Sequence, residues 1–325
     1  MPRSASSAEA ALSERVASAV RDGLATHPRS LPPWLFYDEA GSHLFEQITR
    51  LPEYYLTRTE RSILAAHAPA ILAQAAQSDR VRIAELGAGS ADKTRLLLAA
   101  AVAKQTAVHY EPVDVSASAL DLAASRIARE MPAVTVAPRV MDYTHHLALD
   151  PLPPGERWLV LHIGSSIGNF EPAAAAHLLS QIRAALAPGD ALLLGVDMVK
   201  DTPTLLAAYD DPAGVTAAFN RNLLVRLNRE LDADFRPEAF AHRALWNGAA
   251  SRIEMHLESL AAQSVRIGAL NLTIRFSPGE RIHTENSYKY RPGEAEALLS
   301  SAAFCPEATW TDPAAWFNVL LARAA

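Results

Sequence analysis

The sequence contains a single cysteine among its 325 residues, so no disulfide can form within the chain. Cys305 lies in an alanine-rich stretch, and a cysteine in such surroundings is typical of a small buried side chain rather than a nucleophile. The sequence therefore indicates neither a disulfide-stabilised scaffold nor cysteine-dependent catalysis.

Long apolar runs and clusters of one charge are also lacking. No run reaches the 18 or so apolar residues of a membrane span, and Met1–Ala8 has no apolar segment of signal-peptide type. The net charge is −6 and there is no basic stripe, which argues against nucleic acid as a partner. We therefore expect a cytoplasmic monomer without membrane or nucleic-acid partners.

The sequence also lacks a cluster of residues spaced to bind a metal ion. The candidates are His145, His146 and His162, but two adjacent histidines on a strand or turn point apart. No carboxylate lies at ligand spacing from them, so the sequence predicts no metal site.

Half of the residues are hydrophobic, and 325 residues exceed the roughly 250–300 at which a single core stops growing. We therefore expect two lobes. Short apolar runs alternate with segments of helical spacing in the first two thirds of the chain. This alternation predicts an α/β fold with a doubly wound, Rossmann-like parallel sheet. The predicted strands are Val81–Leu86, Ala107–Val115, Val134–Val140, Trp158–Ile163 and Ala191–Met198.

After about Val199 the alternation of strands and helices fails. Thr216–Glu230 has helical spacing, and three later segments alternate as antiparallel strands do, namely Arg252–Ser259, Ser264–Phe276 and Arg281–Tyr290. The simplest organisation has a sheet domain formed by residues 61–198 and 291–325. A smaller α+β lobe is formed by residues 9–60 and 199–290.

A glycine-rich turn follows the first predicted strand, in the sequence Glu85-Leu-Gly-Ala-Gly-Ser90. Gly87 and Gly89 allow a tight turn and close approach to a ligand. A dinucleotide fingerprint has a third glycine where this chain has Asp92, and an acid at a helix start suits a pyrophosphate poorly. S-adenosylmethionine has a sulfonium and no phosphate, so an acid such as Glu85 or Asp92 is tolerable nearby.

Acids also follow the next two predicted strands. Asp114 is placed to accept hydrogen bonds from both hydroxyls of a ribose, 25 residues after Gly89. Asp142 could bind the edge of an adenine while Tyr143 covers its face. Asp114 and Asp142 could equally cap the segments that follow them. The glycine turn, Asp114 and the Asp142–Tyr143 pair follow three consecutive predicted strands of one βαβαβ series, and this arrangement favours a nucleoside cofactor.

The sequence resembles a known family, the histidine-specific methyltransferases of ergothioneine biosynthesis, which form Nα-trimethylhistidine (hercynine). The resemblance runs from about Leu31 to the C-terminus, and LPEYY (Leu51–Tyr55) is among its specific motifs. The stretches that carry it are Trp34–Gly41, Leu44–Glu60, Glu85–Leu98, Gly164–Pro172, Leu194–Asp201, Ala208–Asn222, Arg252–Leu257 and Thr284–Pro292.

The resemblance implies that S-adenosyl-L-methionine is the cofactor and free L-histidine the substrate. The residues implied for the cofactor are Gly87, Lys93, Asp114, Asp142 and Tyr143. Those implied for histidine are Tyr54, Asn169, Tyr209, Glu285 and Ser287, with Met255 lining the side-chain pocket.

Methyl transfer from a sulfonium is an in-line displacement, so the protein mainly has to position a neutral amine. The hydroxyls of Tyr54 and Tyr209 can hold the α-carboxylate, which leaves the amide oxygen of Asn169 to accept from the amine. Asn169 could instead be a helix cap after the fourth strand. Tyr37 is a candidate partner for the amine or its departing proton, and equally a core tyrosine.

The two ends of the acceptor need further groups. Glu285 and Ser287 are two apart on one predicted strand and face the same side, so they can meet both nitrogens of an imidazole. A solvated strand acid is the alternative for Glu285. Aromatic faces accommodate a quaternary ammonium, and Tyr37, Tyr54 and Phe219 are candidates, although each could simply be packing.

Two other functions compete with histidine methylation. The first keeps the fold and the cofactor but uses another amine, such as an indole amino acid, and Glu285 with Met255 speaks against it. The second is a regulatory protein that binds the cofactor without turnover. The intact set of Gly87, Gly89, Asp114 and Asn169 argues against that.

Overall fold

The computed structural model describes residues 7–89, 91–144 and 146–325, with only the backbone described for residues 7–13 and Ser118. The helices are α1 (Ser7–Ala25), α2 (Glu39–Ile48), α3 (Tyr55–Ala76), α4 (Thr94–Gln105), α5 (Ala117–Glu130), α6 (Pro172–Ala184), α7 (Thr202–Ala207), α8 (Val215–Leu231) and α9 (Glu294–Ser301). The strands are β1 (Arg29–Ser30), β2 (Arg80–Leu86), β3 (Val108–Asp114), β4 (Val134–Val136), β5 (Arg139–Val140), β6 (Glu156–His162), β7 (Ala191–Asp197), β8 (Phe240–Asn247), β9 (Arg252–Ser259), β10 (Gln263–Ile267), β11 (Leu272–Phe276), β12 (Arg281–Tyr288), β13 (Phe304–Thr311) and β14 (Phe317–Ala324).

The described residues form two compact units. Unit 1 comprises the residues up to Tyr54 together with Asp201–Ser287, and unit 2 comprises residues 55–200 and 288–325. The chain thus passes between the units at three places, after Tyr54, Lys200 and Ser287. The first boundary predicted from the sequence lies between residues 60 and 61, and in the structure these residues lie inside the continuous helix α3.

Unit 2 is built on an eight-stranded sheet in the order β13-β14-β7-β6-β2-β3-β4, with β5 also paired to β3. Neighbours from β7 to β4 and β5 are parallel, whereas β14 is antiparallel to both β7 and β13. All seven residues of β7 are buried, as expected for a strand covered on both faces. The predicted α/β, Rossmann-like methyltransferase fold is confirmed, with an antiparallel hairpin added at one end.

The strand order of this sheet reverses between β2 and β6. From β2 the chain adds β3 and β4 on one side, and from β6 it adds β7 on the other. In open α/β sheets, ligands bind at such a switch point, beyond the carboxyl ends of the strands. The loops that follow β2 and β6 leave from this edge and carry Gly87 and Asn169, and Asp114 is the last residue of β3.

Unit 1 contains a four-stranded sheet in the order β1-β12-β9-β8 and a separate hairpin of β10 and β11. Helix α8 packs against α2, β8 and β9. Its Phe219, Leu223 and Leu227 recur every fourth residue and are buried, so one face of the helix forms the core contact.

The prediction of one strand over Ser264–Phe276 is wrong. The chain makes a 3₁₀ turn over Gly268–Leu270, and Asn271 adopts a left-handed conformation with φ 48°. Two antiparallel strands result, β10 and β11. The alternating pattern persists on both sides of the turn, which hid the reversal. Strands β1 and β8 and helix α7 were also not predicted.

Cys305 is exposed, so the prediction of a buried cysteine is wrong. It lies on β13, which pairs only with β14 in this sheet and forms its edge. Alternate residues of an edge strand can face solvent, and Cys305 is one of them.

Among the described residues, no helix combines the length and apolarity needed to cross a membrane.

Candidate active site

The glycine-rich turn after β2 has the conformation that its composition predicts. Gly87 and Gly89 have φ values of 71° and 51°, in the region that favours glycine. The Gly87 amide donates to the carbonyl of Val113, at 2.8 Å. A Cβ added at Gly87 would lie 3.1 Å from the hydroxyl of Tyr143. The turn is therefore packed against the segments that follow β3 and β5.

Asp114 holds the same turn from the end of β3. One of its carboxylate oxygens accepts the Gly89 amide at 3.1 Å, and the other accepts the Ser116 amide at 2.9 Å. Burial raises the pKa of Asp114. The N-cap of α5 is Ser116, so Asp114 does not cap that helix. A carboxylate has about four lone-pair sites, and the backbone of Gly89, Val115 and Ser116 bonds to it, so acceptor capacity remains for a hydroxyl of a ligand.

Asp142 and Tyr143 follow β5. One oxygen of Asp142 accepts both the amide of Thr144, at 3.0 Å, and its hydroxyl, at 2.6 Å. The turn-closing role that the sequence left open for Asp142 is therefore present. The ring of Tyr143 meets the edge of His162, with centroids 5.9 Å apart.

Glu60 organises the neighbourhood of Lys93, and the sequence did not predict it. Its carboxylate is fully buried on α3 and accepts a hydrogen bond from the Lys93 ammonium. Its other oxygen accepts the Gly164 amide at 2.8 Å. A Cβ at Gly195 would lie only 2.1 Å from that oxygen, so a side chain at this position of β7 would displace the Glu60 carboxylate. Glu60 thereby ties the loop after β2 to the loop after β6.

Glu85 and Asp92, the two acids that a nearby sulfonium would tolerate, hold contacts within the chain. Glu85 is buried and accepts from the hydroxyl of Thr94, at 2.6 Å, and from that of Tyr110. Burial raises the pKa of Glu85 to about 7. Asp92 pairs with Arg61 at 2.7 Å. Both carboxylates therefore serve contacts within the chain that their sequence positions did not reveal.

The loop after β6 carries Asn169 in a defined conformation. Ser165 is left-handed, with φ 58°, and its hydroxyl oxygen accepts the amide of Asp197 at 3.0 Å. Ser166–Asn169 forms one 3₁₀ turn, and the N-cap of α6 is Glu171. Asn169 is therefore not the helix cap that the sequence left open.

Three of the predicted histidine-binding residues lie together in unit 1. The hydroxyls of Tyr209 and Ser287 are hydrogen-bonded at 2.7 Å, and both residues are buried. The ring of Tyr54 meets that of Tyr209 edge-on, with centroids 6.1 Å apart. The carbonyl of Tyr209 is in turn held by the buried His242 at 2.8 Å.

Tyr54 and Tyr209 also belong to an aromatic cluster. Its rings contact one another at centroid distances of 5.7 to 6.2 Å. The members are Tyr37, Phe45, Tyr54, Tyr209 and Phe219. The structure thus brings together the three aromatic residues that the sequence suggested for a quaternary ammonium, and it adds Phe45.

Glu285 shares strand β12 with Ser287, and Met255 lies on the neighbouring strand β9. The hydroxyl of Thr284 donates to the carbonyl of Met255 at 3.0 Å, which brings the two strands together at this point. Met255 is buried and Glu285 is half-buried. Glu285 and Met255, the residues predicted to contact the side chain of histidine, therefore lie in one region of the same sheet.

The metal candidates lie partly outside what the structure describes, since His145 is not among the described residues. Among the residues that the structure describes, no group of three or more His, Cys, Asp or Glu side chains could hold a metal ion. His162 is fully buried, and burial lowers its pKa to about 4, so it is neutral at physiological pH.

Comparison with known proteins agrees with this arrangement. The family described as "Histidine-specific methyltransferase, SAM-dependent" matches residues 16–324. The chain is 48% identical to the histidine N-alpha-methyltransferase of Mycolicibacterium smegmatis over 93% of each chain.

More distant relatives include ergothioneine biosynthesis protein 1 of Neurospora crassa, at 32% identity over 87% of this chain and 32% of that protein. A 4-dimethylallyltryptophan N-methyltransferase of Aspergillus fumigatus is 28% identical over 94% of this chain and 92% of that protein. The family match covers nearly the whole chain, and it agrees with the glycine turn, the Asp114 contact and the fold. The chain belongs to the histidine-specific, S-adenosylmethionine-dependent methyltransferase family.

Proposed function

We propose that this protein methylates the α-amino nitrogen of free L-histidine and repeats the transfer until Nα,Nα,Nα-trimethylhistidine (hercynine) is formed. The observation that carries the choice of acceptor is the buried Tyr209–Ser287 hydroxyl pair, with Glu285 two residues from Ser287 on the same strand. Tyr209 provides a neutral donor for a carboxylate, and Ser287 and Glu285 provide a hydroxyl and a charged acceptor for an imidazole.

The amine has to be neutral and held with its lone pair toward the methyl group. We assign the α-carboxylate of histidine to the hydroxyls of Tyr54 and Tyr209, and the amine N–H to the amide oxygen of Asn169. Tyr37, at the edge of the aromatic cluster, is the proposed partner of the amine or of its departing proton. Fixing the acceptor in this way supplies most of what an in-line displacement requires.

The imidazole is assigned to Glu285 and Ser287. Alternate residues of a strand face the same side, so the carboxylate and the hydroxyl can each meet one ring nitrogen. The Tyr209 hydroxyl, bonded to Ser287, would fix the orientation of the Ser287 hydroxyl. Met255 would bound the pocket and limit its size.

Repeated methylation requires that the site tolerate a growing cation. Rings of Tyr, Phe and Trp attract quaternary ammonium groups through their faces. The aromatic cluster offers several such rings in mutual contact, from Tyr37 to Tyr209. This supports trimethylation rather than arrest after one methyl group.

The residues of unit 2 fit S-adenosylmethionine, which when bound supplies a methyl group on an electrophilic sulfonium. Gly87 shapes the tight turn, and Gly89 leaves the backbone open to a ligand, since no described atom lies within 4 Å of where its Cβ would be. Asp114 would accept hydrogen bonds from the ribose. Asp142 and Tyr143 would bind the edge and the face of the adenine. Lys93, which donates a hydrogen bond to Glu60, would bind the amino-acid end of the cofactor through its positive charge.

A second acceptor class, an indole amino acid, is favoured by one observation. A relative at 28% identity is named a 4-dimethylallyltryptophan N-methyltransferase and covers nearly the same length of chain. An indole has a single ring nitrogen, so it could not pair with both Glu285 and Ser287, and the two residues together favour histidine.

Calorimetric titration of the protein with L-histidine, in the presence of saturating S-adenosylhomocysteine, tests the acceptor. We expect saturable binding of histidine and no measurable binding of L-tryptophan. Binding of tryptophan alone would support the second acceptor class. Binding of histidine without turnover in the presence of S-adenosylmethionine would instead support a regulatory protein.

We predict that methyl transfer needs no metal ion, because displacement at a sulfonium requires no Lewis acid. Activity after dialysis against a chelator should match that of the untreated protein. The control is a sample to which zinc or magnesium has been added back. Loss of activity on chelation, with recovery on adding either ion, would contradict this prediction.

We further propose that the protein acts as a monomer in the cytoplasm, in ergothioneine biosynthesis. The pathway is supported by the fungal relative named for it. Light scattering at micromolar concentration would test the oligomeric state.

A further inference from the structure

Asp197, at the carboxyl end of β7, is fully buried and is contacted by three polar side chains of unit 2. The Tyr55 hydroxyl donates to one carboxylate oxygen at 2.7 Å, and the Lys289 ammonium lies 2.9 Å from that same oxygen. The Lys200 ammonium donates to the other oxygen at 2.6 Å. We refer to Tyr55, Asp197, Lys200 and Lys289 as the Asp197 cluster.

Members of the cluster are also bonded to one another and to the adjacent backbone. Lys200 also donates to the Tyr55 hydroxyl at 2.7 Å and to the carbonyl of Met198 at 2.6 Å. Its ammonium lies 4.3 Å from the centroid of the Tyr55 ring. Burial lowers the pKa of Lys200 to about 8, and this is opposed by the nearby charges of Asp197 and Asp312.

Charges buried in this way are rarely the most stabilising choice. Replacing a buried ion pair with apolar residues of similar volume is often neutral or stabilising, because desolvation offsets the attraction. A network of two ammonium groups around one buried carboxylate is therefore better explained by the geometry it fixes than by the stability it adds. The positions of its members in the chain indicate which geometry that is.

Three of the four members lie beside the passages between the units, one at each passage. Tyr55 follows Tyr54 directly, Lys200 is the residue before the second passage, and Lys289 is two residues after Ser287. The amide of Asp197 itself donates to Ser165, in the loop that carries Asn169. Asp197 is thus bonded to residues that lie close in sequence to Tyr54, Ser287 and Asn169.

We propose that Asp197 is the positioning residue for the acceptor amino acid: through its cluster it fixes the backbone that carries Tyr54, Ser287 and Asn169. This inference rests on the proposed function, since those three residues are the ones assigned to histidine. The glycine turn and Asp114 are held by other contacts, namely those of Val113 and Ser116. Weakening the cluster should therefore impair histidine binding and leave cofactor binding unchanged.

The test is Tyr55→Phe in the full chain, which removes one hydroxyl and keeps the ring that packs on Trp316 with centroids 5.1 Å apart. We expect the Kd of histidine, measured with saturating S-adenosylhomocysteine, to rise about tenfold, the equivalent of one lost hydrogen bond among charged groups. The KM of histidine should rise in parallel. The Kd of S-adenosylhomocysteine should stay within about twofold.

Tyr110→Phe is the matched control. Tyr110 is also fully buried in unit 2, and its hydroxyl also donates to a buried carboxylate, that of Glu85. This variant should lower the thermal midpoint to a similar extent while leaving the Kd of histidine near that of the parent. A general loss of stability would weaken histidine binding equally in both variants.

A histidine Kd in Tyr55→Phe within twofold of the parent, with a lowered thermal midpoint, would show that the cluster is merely structural and would overturn the inference. Asp197→Asn, if it folds, should weaken histidine binding further than Tyr55→Phe, because both ammonium groups lose their counter-charge. A parent protein that binds no histidine would instead overturn the proposed function.

Discussion

Glu285→Ala is expected to lower kcat/KM for L-histidine by about a hundredfold, because it removes the charged acceptor that is assigned to an imidazole N–H. A site built to bind a polar group also rejects analogues that lack it, since its own buried polar groups are then left unpaired. The variant should therefore tolerate L-tryptophan better than the parent does. The gain should be larger when Met255 is also shortened to open space.

The measurement is the ratio of kcat/KM for histidine to that for tryptophan, in the parent and in the variant. Glu258→Gln is the control, because Glu258 lies on the adjacent strand β9 and pairs with Arg243 and Arg281. Its ratio should equal that of the parent. An unchanged ratio in Glu285→Ala would mean that the imidazole is recognised elsewhere.

Asp114→Ala is expected to weaken binding of S-adenosylhomocysteine by about ten- to a few hundredfold. Each hydrogen bond from a ribose hydroxyl to a carboxylate contributes roughly 1.5–3 kcal/mol at most. The variant also loses the contact that holds the Gly89 amide, so the turn is less well fixed before the ligand arrives. Titration calorimetry measures the affinity directly.

Asp121→Ala, on the exposed side of α5, is the control for a change of charge near this site. It should bind S-adenosylhomocysteine as the parent does. Circular dichroism should show that both variants keep the fold. If Asp114→Ala binds with the affinity of the parent, Asp114 only closes the loop between Gly89 and Ser116.

The sequence predicted the sheet of unit 2 well, for a physical reason. Strands covered on both faces are continuous apolar runs bounded by turns, so β2, β6 and β7 were placed within about two residues of their observed ends. In unit 1 the strands are half-buried and alternate. A reversal such as the one at Asn271 does not interrupt that pattern, which explains the error over residues 264–276.

The site was predictable where its chemistry lies in short motifs. The glycine turn and Asp114 follow consecutive strands, so their proximity could be inferred from the topology of parallel sheets alone. Glu60 could not, because its role depends on contacts with Lys93 and Gly164, which are 33 and 104 residues away in sequence. Nothing in a local pattern distinguishes a buried acid on a helix from a solvated one.

The Asp197 cluster shows the same limit more strongly. Tyr55 and Asp197 are 142 residues apart, and Lys289 reaches the same carboxylate from a third segment. Each residue alone is unremarkable in the sequence. Only the folded chain shows that they meet beside all three passages between the units.

The most direct test of the central claim is to incubate the protein with S-adenosylmethionine and an equimolar mixture of L-histidine and L-tryptophan, then read the masses of both amino acids over time. We predict that histidine gains one, two and finally three methyl groups while tryptophan stays unmodified. Methylation of tryptophan in preference to histidine, or consumption of neither, would contradict the account.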